Sequence, residues 1–467
     1  MMFNNPNVLY YLALFCWPFV AYKLIVRYQL DRAVILMVLV PYLFLPMPHR
    51  SQILKLPLLP PLDKESIPIL ALLFILYLKK IKLNWLPSYR LSVFFCVALL
   101  LSSFFTVFTN MEPLPIGSRT LPGLQFTESL SLFVSLIIKV YVPFIVGYSL
   151  LSSNKSHEEV IKLIFILGLF YSVLMLYEVR MSPQLHTKIY GFFPHDWIQQ
   201  IRAGGFRPVV FLGHGLLVAL YGAITAIAAF ALWRNKHKIT KGKGAMIFGY
   251  CCLVLVLCKT YSAVIYLLFF ASLSLFLSEK MRMRALSLVA LIVLMFPAIR
   301  HQLPLSDITA FFMDLNPDRA GSLQYRFDHE DKLLVKANEK PWFGWGTWGR
   351  NRIYHSVTGE DLSVTDGAWI IRYGVFGWLG YLSAMGLIAY PVIAYAKSMK
   401  KHSSNQSLSP YTPALCVILV IYLIDQIPNA SLSHLTYLIA GAVLGGAKQL
   451  SEGQAEERGD KVAKGPS

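Results

Sequence analysis

Charge is scarce in this 467-residue chain: 15% of its residues are Asp, Glu, Lys or Arg and 56% are apolar. A soluble globular domain carries roughly 25% charged residues, so a string of soluble domains is excluded. Acidic residues are the scarcer sign, 25 against 43 Lys and Arg, which leaves a net charge of +18. The excess does not point to nucleic acid, because the basic residues fall in short clusters between apolar runs. Cysteine is sparse too. Cys16, Cys96, Cys251, Cys252, Cys258 and Cys416 lie within apolar segments, without the paired spacing of a zinc site or a secreted disulfide framework. They read as reduced, buried thiols. No Lys or Arg precedes Lys23, so the first apolar run lacks the basic start of a signal peptide and reads as a retained span. There is no internal repeat of the kind that marks the inverted halves of many transporters, and no Asp-x-Asp motif to hold a metal ion.

What the chain does have is long apolar runs. A membrane helix needs about 20 apolar residues. Candidates centre on 8–22, 33–47, 67–78, 91–109, 130–151, 160–180, 209–233, 245–258, 262–277, 286–299, 367–395, 413–428 and 433–447. The expected fold is an all-α polytopic membrane protein with about 13 (12–14) transmembrane helices and one large periplasmic loop. Residues 1–447 form the membrane domain, 301–366 the loop inserted in it, and 448–467 a polar, disordered cytoplasmic tail. The run 367–395 is long enough to break at Gly374, Gly377, Gly380 or Gly386. More than half of the 43 basic residues fall in alternate short loops and the tail, which makes that side cytoplasmic and sets the N-terminus outside. Lys139, Glu178, Arg372 and Asp425 are the few ionisable groups deep in a run, and Lys139 and Asp425 are a plausible structural pair.

The unusual residues gather on the outer side. Arg202 and Arg207 flank a Gly-Gly pair just before an apolar run that carries His214 about two turns in. Arginine forks suit phosphate oxygens, and a helix N-terminus favours an anion; both arginines could instead anchor to lipid headgroups, and His214 could simply pack. Cys258-Lys259-Thr260-Tyr261-Ser262-Ala263 interrupts two short runs, where Lys259 either adds a cation or snorkels. The long loop holds Arg326 and His329 in an amphipathic segment with Leu323, Phe327, Leu334 and Ala337 on one stripe. A turn-rich run from Pro341 to Gly349 follows, with Trp345 and Trp348, and then His355. The tryptophans fit either an interfacial belt or sugar-stacking faces. Thr365-Asp366-Gly367-Ala368-Trp369 enters the next run, where Thr365 or Asp366 could cap the helix.

These clusters, in this order, resemble the O-antigen ligase and polymerase superfamily, the Wzy-like and WaaL-like bacterial membrane glycosyltransferases. The match rests on Arg326, a helix and Pro341-Trp342-Phe343-Gly344-Trp345-Gly346, followed by Thr365 to Gly377. Arg202 to His214 is similar to the family's earlier arginine-glycine motif, and Lys259 stands where the family often has an arginine. The resemblance covers roughly 200–395. It implies an inverting, metal-independent transfer, without cofactor, of an undecaprenyl-diphosphate-linked glycan at the periplasmic face of the bacterial inner membrane. The acceptor is a sugar hydroxyl, in exopolysaccharide or O-antigen polymerisation or in ligation to lipid A core. On this reading Arg202, Arg207, Lys259 and Arg326 bind the diphosphate. Asp366, His355 or His329 is the base, with Asp366 standing where ligases of the family commonly have a histidine. His214, Trp345, Trp348 and Trp369 contact the glycan. Partners are the lipid-linked donor, the glycan acceptor, the bilayer and polysaccharide assembly proteins, with no nucleic acid. A transporter or flippase of lipid-linked sugars and a non-catalytic assembly subunit are the competing readings.

Overall fold

The computed structural model describes residues 5–49, 58–202, 204–315, 317–364, 366–400 and 409–463. Helices account for nearly all the regular structure. In chain order they are α1 (Val8–Arg27), α2 (Leu30–Phe44), α3 (Ser66–Leu78), α4 (Arg90–Phe108), α5 (Phe126–Leu136), α6 (Val142–Leu150), α7 (Asn154–Met181), α8 (Leu185–Tyr190), α9 (Gly215–Arg234) and α10 (Gly244–Leu257). Then come α11 (Tyr261–Phe276), α12 (Glu279–Leu294), α13 (Phe296–Ile299), α14 (Leu305–Leu315), α15 (Pro317–Glu339), α16 (Ala368–Lys400), α17 (Thr412–Asp425) and α18 (His434–Ala463). Two small hairpins complete the chain: β1 (Leu114–Ile116) with β2 (Arg119–Leu121), and β3 (Ile201–Arg202) with β4 (Gly205–Phe206).

The outside of the bundle is apolar. Phe19, Leu253, Ile265 and Phe276 are exposed, Phe276 to 82%. Water would not tolerate so many exposed large apolar side chains, whereas lipid does. At the centre stands α9, whose run of Gly, Ala and Thr lets neighbouring backbones approach closely. This is a helical, membrane-embedded protein.

Each of the thirteen apolar runs lies on a helix, but six helices among the described residues are long and apolar enough to cross a bilayer by themselves, or seven if bent α12–α13 counts as one span. The expectation of about thirteen spans is therefore met only in part. Helices of 13–16 residues, such as α3 and α11, extend only about 20–24 Å at 1.5 Å per residue, short of a ~30 Å hydrocarbon core.

Contacts tie the helices together at both ends of the bundle. At one end Arg32 pairs with Glu159 (3.3 Å), His237 meets Glu158 (3.0 Å) and Gln449 bonds Ser152 (2.9 Å). At the other, Asn7 bonds the Ile189 carbonyl, Tyr190 reaches that of Phe44, and the Trp369 N–H reaches that of Gln426.

α16 breaks at Gly377, one of the glycines expected to allow it, where φ is +62°. A broken helix leaves backbone groups unpaired, and here the run 341–346 fills the gap. The N–H groups of Trp378 and Leu379 donate to the carbonyls of Pro341 (2.7 Å) and Trp342 (3.1 Å). Those of Trp345 and Gly346 donate to Gly374 (2.8 Å) and Val375 (2.9 Å). A Cβ on Gly377 would fall 2.4 Å from the Trp342 backbone, and one on Gly344 2.4 Å from that of Val375. The proline-glycine run is thus a backbone splice that fixes the long loop to the span after it.

Other expectations are corrected. Lys139 does not pair with Asp425. It sits in a π-turn, Ile137–Tyr141, that presents it to the start of α3, 2.6 Å from Glu65 and 3.9 Å from Asp63. Asp425 accepts from the Tyr266 hydroxyl (2.7 Å) and the Asn429 amide (2.7 Å). Cys16 is exposed on the apolar outside rather than buried. The polar tail does not lose structure after Gln449, because α18 continues to Ala463; its Ala, Glu, Lys and Arg residues favour helix. Residues 464–467 lie outside the described part.

Candidate functional site

The site forms around the start of α9. The chain from Gln200 to His214 turns back over the helix end. The Arg207 N–H donates to the Gln200 carbonyl (2.8 Å), and the buried Gln200 side chain accepts from the Gly215 N–H (3.3 Å). Glu178 closes the turn by accepting from Val209 and Val210 N–H groups, both at 2.7 Å. Val210 (φ +46°) and Gly213 (φ +84°) are left-handed, so the helix cannot begin where the apolar run does. His214 is therefore not two turns inside the helix. It is the N-cap, with Nδ1 accepting from the Leu216 N–H (3.1 Å). That bond needs an unprotonated Nδ1.

Arg207 is 8% exposed and lies against this helix end, where a Cβ on Gly215 would come within 2.8 Å of Arg207 Cβ. Its Nε donates to the Lys259 carbonyl (3.4 Å). Lys259 is a left-handed residue (φ +53°) in the turn between α10 and α11, and its ammonium lies over Gly205. The β3–β4 hairpin carries Arg202 beside it; Ala203, at the tip, lies outside the described residues. Burial, followed by the electrostatic effects of His195, Arg207, Arg202 and Arg326, pushes His214 down to about 4. Each of the three arginines read from the sequence thus acts electrostatically on the residue that caps α9. Lys259 adjoins Arg207. Positive helix end and cations together make a site for a multiply charged anion.

Arg326 stands on α15. Its Nε is 3.2 Å from Asp366, and the two side chains are 40% and 42% exposed. One turn further along, Glu330 holds α15 to the bundle. It lies 3.5 Å from Arg300 and accepts from the Trp369 indole N–H (3.3 Å), while Arg300 also meets Asp331 (3.1 Å). Burial pushes the Glu330 carboxyl up, with the Arg300 charge opposing. Asp366 thus faces an arginine; the residue before Ala368 at the helix start is Gly367. Thr365, the other cap candidate, lies outside the described residues.

The remaining candidates make other contacts. His355 sits in the turn 353–361, where Nδ1 accepts from Val357 (3.3 Å) and Thr358 (3.2 Å) N–H groups, beside the β1–β2 hairpin. His329 packs its ring edge-on to Tyr325 (4.3 Å). Trp369 is buried against Phe296 (4.9 Å) and Trp345 is covered by the Lys336 and Lys340 ammonium groups (4.2 and 4.6 Å). Both rings are closed to a sugar, which corrects their glycan-contacting assignment; each is a packing anchor whose indole N–H is spent on the protein. Trp348 is 66% exposed and meets Glu128 through its indole N–H.

Sequence reasoning missed Arg300, Glu330, His195 and Gln200. Only Glu330 had a signal, being four residues after Arg326 and so on the same helix face. Among the described residues no three His, Cys, Asp or Glu side chains stand close enough to share a metal ion. No protein-family model matches the chain, and none of the curated proteins matches it either.

Proposed function

We propose that this protein is an inverting glycosyltransferase of the O-antigen ligase and polymerase type. It transfers an undecaprenyl-diphosphate-linked glycan to a sugar hydroxyl at the periplasmic face of the bacterial inner membrane, in polymerisation of an exopolysaccharide or O-antigen. The observation that carries the reading is the placing of Arg207 and Lys259 together at the N-terminus of α9, with the Arg202 hairpin beside them, and of Asp366 against Arg326. The acceptor oxygen attacks the anomeric carbon and its proton passes to Asp366. The carbon–oxygen bond to phosphate breaks, and its electron pair leaves with the diphosphate. Fixed guanidinium groups stabilise that departing charge. The thirteen-span topology with 301–366 outside belongs to the same proposal. A ligase differs only in its acceptor.

The purified chain in lipid nanodiscs, given lipid-linked repeat units, should lengthen them and release undecaprenyl diphosphate. Arg326→Lys should lose most of this, because the planar fork is gone. Intact donor with no product, under conditions where the chain is folded, would overturn the reading.

A transporter of lipid-linked sugars is the second reading, favoured by one observation. Lys139, Glu65 and Asp63 form a charged cluster at a π-turn within a span, and buried Lys64 donates to the Phe211 carbonyl (3.0 Å) beside it. Such groups inside a span are a functional signal. Movement of labelled lipid-linked sugar across vesicles without polymer would support it.

A further inference from the structure

We propose that Asp366 occupies Arg326 in place of the donor's diphosphate, and that donor binding, by taking Arg326, frees Asp366 for the acceptor hydroxyl. The donor then binds before the acceptor. The inference rests on the function proposed above and adds an order of events to it.

Two ion pairs on neighbouring turns of α15 differ in kind. Glu330 with Arg300 is buried, the arginine side chain being 3% exposed, and is tied further by Asp331 and the Trp369 indole. This tie sets α15 against the start of α16. Arg326 with Asp366 joins the same two regions, but both side chains are about two-fifths exposed. Pairs of that exposure are worth at most ~1 kcal/mol, so this one can open while the buried tie holds both elements in register. The start of α16 is also pinned from another side, since the Ala368 N–H donates to the Asn429 carbonyl (3.0 Å) and that of Trp369 to Gln426 (3.2 Å). Exchange at Arg326 therefore needs only side-chain movement.

A diphosphate is the stronger claimant. It offers several charged oxygens to the guanidinium fork and meets Arg202, Arg207 and Lys259 as well, whereas Asp366 offers one carboxylate. Its charge also repels that carboxylate. While Asp366 Oδ2 is paired with the Arg326 guanidinium, that oxygen is engaged. Once the diphosphate holds Arg326, that oxygen is released at the moment when the leaving group is in position.

The test is binding of undecaprenyl diphosphate to the full chain in nanodiscs. Asp366→Asn should bind about two- to fivefold more tightly than wild type, the range such a pair commands, and Asp366→Glu should return towards the wild-type value. In an Arg326→Gln background the gain from Asp366→Asn should shrink, because the two residues then share no competition and only the carboxylate's repulsion of the diphosphate is relieved. An unchanged or weaker Asp366→Asn affinity, or the same gain in both backgrounds, would overturn the exchange while leaving the diphosphate site intact. Failure of the wild-type chain to bind undecaprenyl diphosphate would remove the proposed function itself, and the exchange with it.

Discussion

The ammonium of Lys259 rests on the face of Gly205: a Cβ there would lie 2.2 Å from Nζ. Two segments more than fifty residues apart therefore meet at one hydrogen-sized gap, and the missing side chain of one sets the position of the other's charge. Because the obstructing atom ends a flexible side chain, Gly205→Ala should leave the fold intact and push the ammonium aside. Undecaprenyl diphosphate binding should weaken roughly three- to tenfold, the net scale of one ordinary hydrogen bond, with little change in melting temperature. In a Lys259→Ala background the same substitution should have almost no further effect.

His214 makes acid stability predictable. Its ordinary value of 6.5 is lowered to about 4 by burial and by the neighbouring His195, Arg207, Arg202 and Arg326. The folded state thus binds the proton less readily than the unfolded chain. The stability owed to the neutral ring is complete above pH 6.5 and is lost as pH falls from there through about 4. Melting in detergent across that window should fall less steeply for His214→Asn, which can still cap α9 but does not titrate.

Glu330→Ala should be far more damaging than Asp366→Ala. It strips a buried guanidinium of one partner and leaves the Trp369 indole N–H without its acceptor. Removing one member of a buried pair costs about 3–5 kcal/mol, visible as a large drop in melting temperature. Replacing both Arg300 and Glu330 by Met should recover much of that loss, since apolar groups of similar volume need no partner.

Gly377 and Gly374 offer a contrast within one helix. Gly377→Ala meets a left-handed φ of +62° and the Trp342 backbone at 2.4 Å, so the splice cannot form and folded protein should be lost. At Gly374 the nearest neighbour is the Asn351 side chain at 3.3 Å, which can shift. Gly374→Ala should express and melt close to wild type. Yield of monodisperse protein in detergent measures both.

Local chemistry was legible in the sequence where it depended on neighbours in the chain. Hydropathy located a helix under every apolar run, and the four cations were visible because each stands at the interruption of a run or on a short amphipathic segment. What depended on distant partners was not. Trp369 and Trp345 read as sugar platforms because nothing local shows that Glu330 and the Lys336 carbonyl claim their indoles. The depth of His214 was misread because Glu178, on another helix, holds the turn that delays α9. Lys139 was assigned the wrong partner because a π-turn changes the direction in which a side chain leaves its helix.

The most direct test of the diphosphate site is a structure of the chain in nanodiscs with undecaprenyl diphosphate bound. The account predicts phosphate oxygens within hydrogen-bonding distance of Arg326 and of at least two among Arg202, Arg207 and Lys259, with Asp366 turned away from Arg326. Diphosphate bound instead beside Lys139 and Glu65, with the Arg326–Asp366 pair closed, would contradict it.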